Sequence, residues 1–200
     1  MSRWLTAALA VLVVTAIAAS DQRVLPGEVA VLEAANDIPT ALGWPLRVVM
    51  QLGTLWAALV VVAAVAIRTL KQGLVPAVAT FVAVLLAFRL DNLLKDVIDR
   101  PRPEQLVDGV RVREEIGGFG FPSGHTTMAC ALAAALHPLL PPFWRRVAWA
   151  GAAIVAIARM HVGVHLPLDL VGGAALGTAI GAAAWLAVGR APSCWFERPQ

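Results

Sequence analysis

The chain has 200 residues, 59% of them hydrophobic and 14% charged, whereas an average soluble domain is about 25% charged and roughly 45–50% apolar. With a mean hydropathy of +0.74, this composition excludes an ordinary soluble enzyme and a disordered chain. The formal net charge of +3 comes without a dense Lys/Arg run, which argues against a nucleic-acid partner.

A helix needs about 20 residues to cross a bilayer, so residues 1–200 allow several crossings in a single domain and leave little room for a second. Six apolar stretches follow in chain order: Trp4 to Ala19, Val48 to Ile67, Leu74 to Leu94, Thr126 to Leu140, Val147 to Ala158 and Leu170 to Gly189. Backbone N–H and C=O groups cannot stay unpaired in lipid, so each stretch is expected to be helical. The expected architecture is all-α: a polytopic membrane bundle of about six transmembrane helices. The first stretch has a rival reading. Arg3, an apolar core and the small residues Ala16, Ala18 and Ala19 also resemble a signal peptide with its cleavage site.

With the N-terminus inside, Arg68, Lys71, Arg145, Arg146 and Arg190 all fall on one side, which the positive-inside rule assigns to the cytoplasm. The segment from Ser20 to Arg47 is mixed in sign and falls outside. Trp4, Trp44, Trp144 and Trp195 stand at span ends, where indole rings favour the interface. Cys130 and Cys194 lie far apart and form neither a disulfide framework nor a zinc spacing. Gly173, Gly177 and Gly181 recur at four-residue spacing in the sixth stretch and give one helix face that admits close packing.

Three polar clusters interrupt this pattern: Lys95 to Pro103, Pro122-Ser123-Gly124-His125, and Arg159 to Asp169. By parity of the spans they share one side, where a compact bundle gathers them at one mouth. Clustered cations suit an anion with several oxygens, and a planar guanidinium grips two of them. Two histidines beside such an anion suit nucleophilic attack and proton transfer. A carboxylate four residues after a histidine fixes its tautomer when both lie on one helix face. The same cations oppose a bound metal ion, so no metal and no cofactor is expected.

Each residue also has a purely structural reading. Asp91, Lys95 and Asp99 could form a helix-surface ion-pair ladder. Arg100 could anchor the chain at lipid headgroups, and Ser123 could cap a helix. His161 could be an interfacial polar residue. His137, between apolar residues, is expected to be structural.

Taken together, the three clusters resemble the type 2 phosphatidic acid phosphatase family of the vanadium haloperoxidase superfamily. Its first motif, K-x6-R-P, corresponds to Lys95, Arg102 and Pro103. Its second, P-S-G-H, corresponds to Pro122 through His125. Its third, S-R-x5-H-x3-D, corresponds to Arg159, His165 and Asp169, with Ala158 where the family usually has serine. The motif region runs from 95 to 169, and the span layout extends the resemblance over nearly the whole chain.

The resemblance implies that His165 is the nucleophile and forms a phosphohistidine, that Asp169 holds its ring, and that His125 protonates the leaving oxygen and then activates water. It implies phosphoryl-oxygen binding by Lys95, Arg102, Arg159, Ser123 and the Gly124 amide. The missing serine implies a weaker hydrogen bond at that site but no missing reacting group. The implied partners are the lipid bilayer and a membrane lipid phosphate substrate: a polyprenyl diphosphate or monophosphate, phosphatidylglycerol phosphate or phosphatidate. The implied setting is a bacterial inner membrane with an extracytoplasmic site, and the Glu104 to Phe121 loop is expected at the headgroup entrance. The alternative is a membrane transporter or binding protein for a phosphorylated lipid or anion. Oligomeric state is not readable from the sequence.

Overall fold

The computed structural model describes residues 1–71 and 73–188. Arg190, Cys194 and Trp195 therefore lie outside the described residues. Among those described, nine α-helices form and no strand does. They are α1 (Ser2–Ser20), α2 (Glu28–Asn36), α3 (Thr40–Met50), α4 (Leu55–Thr69), α5 (Val75–Ile98), α6 (Pro103–Leu106), α7 (Gly124–Leu136), α8 (Pro142–His161) and α9 (Pro167–Val188).

Three helices, including α1 and α9, are long and apolar enough to cross a membrane; counting the bent pair α3–α4 as one span makes four. Two of the six expected spans fall short by these measures. At 13 residues, α7 reaches only about 20 Å, and α8 carries Arg145, Arg146 and Arg159.

The second apolar stretch is not one helix. A short 3-10 turn at Gln51–Gly53 ends α3, and α4 starts afresh after Thr54, with a 60° bend between the two. The Thr54 hydroxyl accepts from the Ala57 N–H at 3.3 Å, a side-chain N-cap. Hydropathy is blind to this break because no charge accompanies it. The Gly-Thr pair is the signal that was available. Likewise, the segment expected as an outer connection contains α2 and most of α3.

At the core, α9 packs along α1 on one side and α7 on the other. The glycine stripe makes the second contact possible. A Cβ on Gly173 would lie 2.7 Å from the Ser123 carbonyl oxygen, and one on Gly181 would lie 2.6 Å from Ala134 Cβ. A Cβ on Gly177 would overlap the Thr127 carbonyl oxygen and lie 2.8 Å from the Ala131 nitrogen. A run of small side chains lets these two backbones approach without a hydrophobic driving force.

Two apolar clusters mark the ends of the bundle. Met1, Val65, Ala79, Leu139, Trp185 and Val188 meet at one end. Leu32, Leu106, Met160, Leu166 and Leu170 meet at the other. The alternation of helix ends is thus as the spans predict: Arg68, Arg145 and Arg146 belong to the first end, and the three polar clusters to the second.

Candidate functional site

The site is built by three chain breaks. α5 stops at Asp99, which adopts a left-handed conformation with φ of 46°, and Pro101 and Pro103 keep the chain from resuming that helix. Arg102 lies in this extended stretch. Its guanidinium is buried and held by three backbone carbonyls, those of Gly118 (3.0 Å), Val164 (2.9 Å) and Gly117 (3.1 Å). Lys95, one turn before the end of α5, pairs with Asp91, and Asp91 also accepts from Thr127 Oγ1 at 3.3 Å. The expected ladder is therefore half formed and mostly buried. Asp99 does not join it, but accepts from Gln22 Nε2 at 2.7 Å.

The second break starts α7. Ser123 occupies the N-cap position, yet its hydroxyl makes no capping bond. It accepts instead from Thr126 Oγ1 at 3.1 Å, while its backbone N–H donates to the Asp169 carbonyl at 3.0 Å. Gly124 must lack a side chain, because a Cβ there would lie 2.8 Å from Asp91 Oδ2 and 3.4 Å from Lys95 Nζ. His125 lies near Arg159, His165 and Lys95. With Thr54, Leu55, Phe88 and Asp91 it lines a cavity of about 250 Å³ between α4, α5 and α7.

The third break separates α8 from α9. His165 lies just before α9 begins, so it shares no helix face with Asp169. The two meet through the turn: Asp169, in the first turn of α9, reaches back to accept the Leu166 N–H at 2.8 Å, which is half of a capping box. His165 Nδ1 stands 3.6 Å from Asp169 Oδ2. That is contact, not a hydrogen bond, and the buried Nδ1 has no other partner. Burial, reinforced by Arg159, Arg102 and Lys95, holds the His165 pKa well below the usual imidazole range. The ring is therefore neutral at pH 7.

Arg159, buried at the end of α8, donates from Nη1 to Glu114 Oε2 at 3.1 Å and to Met50 Sδ at 3.4 Å. Ala158 packs into an apolar cluster with Met50, Val162 and Val164. Lys95, Arg102, Ser123, Gly124, His125, Arg159, His165 and Asp169 all converge at one end of the bundle, with Ser123, Arg159, His165 and Asp169 almost fully buried.

Three residues around the site carry no functional mark in the sequence. Arg100 does not face headgroups: it is fully buried, donating to Asp169 Oδ1 at 2.8 Å and to Glu28 Oε2 at 2.6 Å. Glu28 and Glu114 were likewise unmarked, being acidic residues among many. His161 is structural, with Nδ1 3.2 Å from the Ala35 carbonyl. His137 accepts from Trp149 Nε1 at 3.3 Å and lies edge-on to Trp4 at the far end of the bundle.

The family model of the PAP2 superfamily matches residues 76–192. The chain is 38% identical over 103 residues to a lipid A 1-phosphatase of Rhizobium etli, a match covering 48% of this chain and 44% of that protein. It is 30% identical over 137 residues to a decaprenylphosphoryl-5-phosphoribose phosphatase of Mycobacterium tuberculosis, covering 64% of this chain and 68% of that one. The alignment thus spans less than half the length of the Rhizobium relative.

Two crystal structures share the fold. One is a transmembrane PAP2-type phosphatidylglycerolphosphate phosphatase from Bacillus subtilis, with a TM-score of 0.75 at 20% identity, covering 91% of this chain and 96% of that one. The other is LpxE of Aquifex aeolicus, with a TM-score of 0.71 at 23% identity, covering 79% and 94%. The chain belongs to the PAP2 superfamily, and it is an integral membrane protein.

Proposed function

We propose that the protein hydrolyses a lipid phosphate or diphosphate through a phosphohistidine intermediate, without a metal ion. The observation that carries this reading is a buried His165 set among three cationic side chains, Lys95, Arg102 and Arg159. These cations suit phosphoryl oxygens and oppose a divalent cation. Phosphoryl transfer rests mainly on positioning and on stabilising charge at the equatorial oxygens.

In the first step His165 Nε2 attacks phosphorus. The bond to the leaving oxygen breaks as His125 donates its proton to that oxygen. In the second step His125 takes a proton from water, the water oxygen attacks phosphorus, and the P–N bond breaks to release phosphate and free His165. Asp169 supports the positive charge on the phosphorylated ring. The uncapped Ser123 hydroxyl and the Gly124 N–H supply donors at the start of α7, where the helix N-terminus favours an anion.

The substrate is membrane-borne: the cavity beside His125 has an apolar side of Leu55, Ala87, Phe88 and Met128. The names of the relatives point to phosphates on lipid A and on polyprenyl carriers. Phosphatidylglycerol phosphate and phosphatidate belong to the same chemical set. Arg68, Arg145 and Arg146 at the opposite end support an extracytoplasmic site in a bacterial inner membrane.

The test is phosphate release by the detergent-purified protein in EDTA, across a panel of these lipids, with His165→Ala beside the wild type. Release by the wild type alone supports the reading, as does inhibition by millimolar vanadate. A folded wild type inert on every lipid overturns it and favours the transporter.

A further inference from the structure

Among the described residues, Arg100 is the most deeply buried charge that this mechanism leaves unused. It is fully enclosed, and its guanidinium bonds run to Asp169 at the start of α9, to Glu28 and to the Arg23 carbonyl. Nη1 donates to Asp169 Oδ1 at 2.8 Å and lies 3.4 Å from Glu28 Oε1. Nη2 donates to Glu28 Oε2 at 2.6 Å and to the Arg23 carbonyl at 2.9 Å. Glu28 is equally well fixed. Its carboxylate accepts the Leu25 N–H at 2.8 Å and the Leu168 N–H at 2.9 Å.

Glu28 therefore holds both Arg100 and the backbone one residue before Asp169. Asp169 has two oxygens: Leu166 N–H takes one and Arg100 takes the other. Its rotamer is set before any contact with His165. Arg102 and Lys95 are also near this aspartate but make no hydrogen bond to it, being bonded elsewhere.

Burying a charged pair is weak support for stability, because desolvation offsets much of the Coulomb gain. What such a pair does well is fix geometry. We propose that Glu28 and Arg100 form a positioning unit for the reaction, locking the Asp169 carboxylate beside His165 Nδ1 so that the imidazole presents Nε2 to phosphorus. This rests on the phosphatase reading above. Neither residue touches the phosphate, so the unit acts on turnover and leaves anion binding alone. It also makes α2, which reaches the core mainly through Leu32 and Ala35, a support of the site.

The experiment measures kcat and KM for lipid phosphate release by Arg100→Gln, Arg100→Lys and Glu28→Gln, beside the wild type and His165→Ala. Rates are expressed per folded molecule, with the rise in Tm on adding vanadate reporting the phosphate site. Misplacing a reacting group by about 1 Å costs on the order of a hundredfold. Arg100→Gln is accordingly expected to lower kcat about tenfold to a hundredfold, with KM and the vanadate-induced Tm rise unchanged. Arg100→Lys should recover part of the loss.

Glu28→Gln keeps Arg100 and Asp169 and is expected to lower kcat several-fold. It decides the matter if Arg100→Gln does not fold. A wild-type kcat per folded molecule in Glu28→Gln or Arg100→Gln overturns the proposal, because a merely structural pair would reduce yield and Tm but not turnover. An equal loss of vanadate stabilisation also overturns it, since the pair would then be serving the anion site. If the wild type is inert, or His165→Ala retains activity, the phosphatase reading falls and this proposal falls with it. An active wild type, an inert His165→Ala and a fully active Arg100→Gln overturn the positioning unit alone.

Discussion

Gly53 and His125 lie backbone to backbone: a Cβ on Gly53 would stand 2.6 Å from the His125 carbonyl oxygen and 2.9 Å from its Cα. The turn that breaks the second apolar stretch is thus the wall against which His125 rests. Gly53→Ala should push His125 away from the phosphate. We expect kcat to fall by on the order of tenfold to a hundredfold with a smaller change in Tm. Steady-state kinetics beside a thermal melt check this; unchanged kcat would show that the turn can give way without moving the histidine.

The glycine stripe of α9 is a packing device, and its substitution should act on stability first. Gly177→Leu would drive a side chain into the Thr127 and Ala131 backbone, the latter already 2.8 Å from an added Cβ. Overpacking of this kind costs about 1–3 kcal/mol or more. Thermal unfolding in detergent should show a clear drop in Tm, and because α7 carries Ser123 through His125, activity should fall as well.

Glu114 presents a carboxylate oxygen to Arg159, where a phosphoryl oxygen would compete for the same N–H. The glutamate is partly exposed and the pair is weak, worth about 0–1 kcal/mol. Glu114→Gln should therefore tighten vanadate inhibition modestly, by about fivefold at most. Weaker inhibition would mean that Glu114 orients Arg159 and does not compete with the anion.

Protonating His165 removes the lone pair that attacks phosphorus, so phosphoenzyme formation should decline as pH falls through its pKa. Burial and the charges of Arg159, Arg102 and Lys95 place that pKa well below the usual imidazole value. The acid limb should accordingly lie well below pH 6.5. Arg159→Gln removes one of those charges and should raise the pKa, shifting the limb to higher pH while also lowering the maximum rate. Single-turnover rates across pH check the direction, since it is the midpoint and not the amplitude that reports on His165.

The three motifs were legible because each is local. Lys95 through Pro103, Pro122 through His125 and Arg159 through Asp169 each sit at a helix end, where proline, glycine and charge punctuate apolar sequence. That those ends share one side followed from the alternation of spans alone. The pairing of His165 with Asp169 was also visible, although the geometry behind it was not. Four-residue spacing suggested a shared helix face, whereas Asp169 meets His165 across a helix start because it caps that start through Leu166 N–H.

Composition and the spacing of apolar stretches determined the all-helical membrane bundle, because lipid permits no unpaired backbone. Motif order determined which residues meet. Tertiary structure decided what the break at Gln51–Gly53 does, which is to bring Gly53 against the backbone of His125. It likewise decided the chain from Glu28 to Arg100 to Asp169. Those bonds join residues 72 and 69 positions apart, and no local pattern marks a charge whose partners lie on other helices. The buried guanidinium became visible only once the bundle had closed around it.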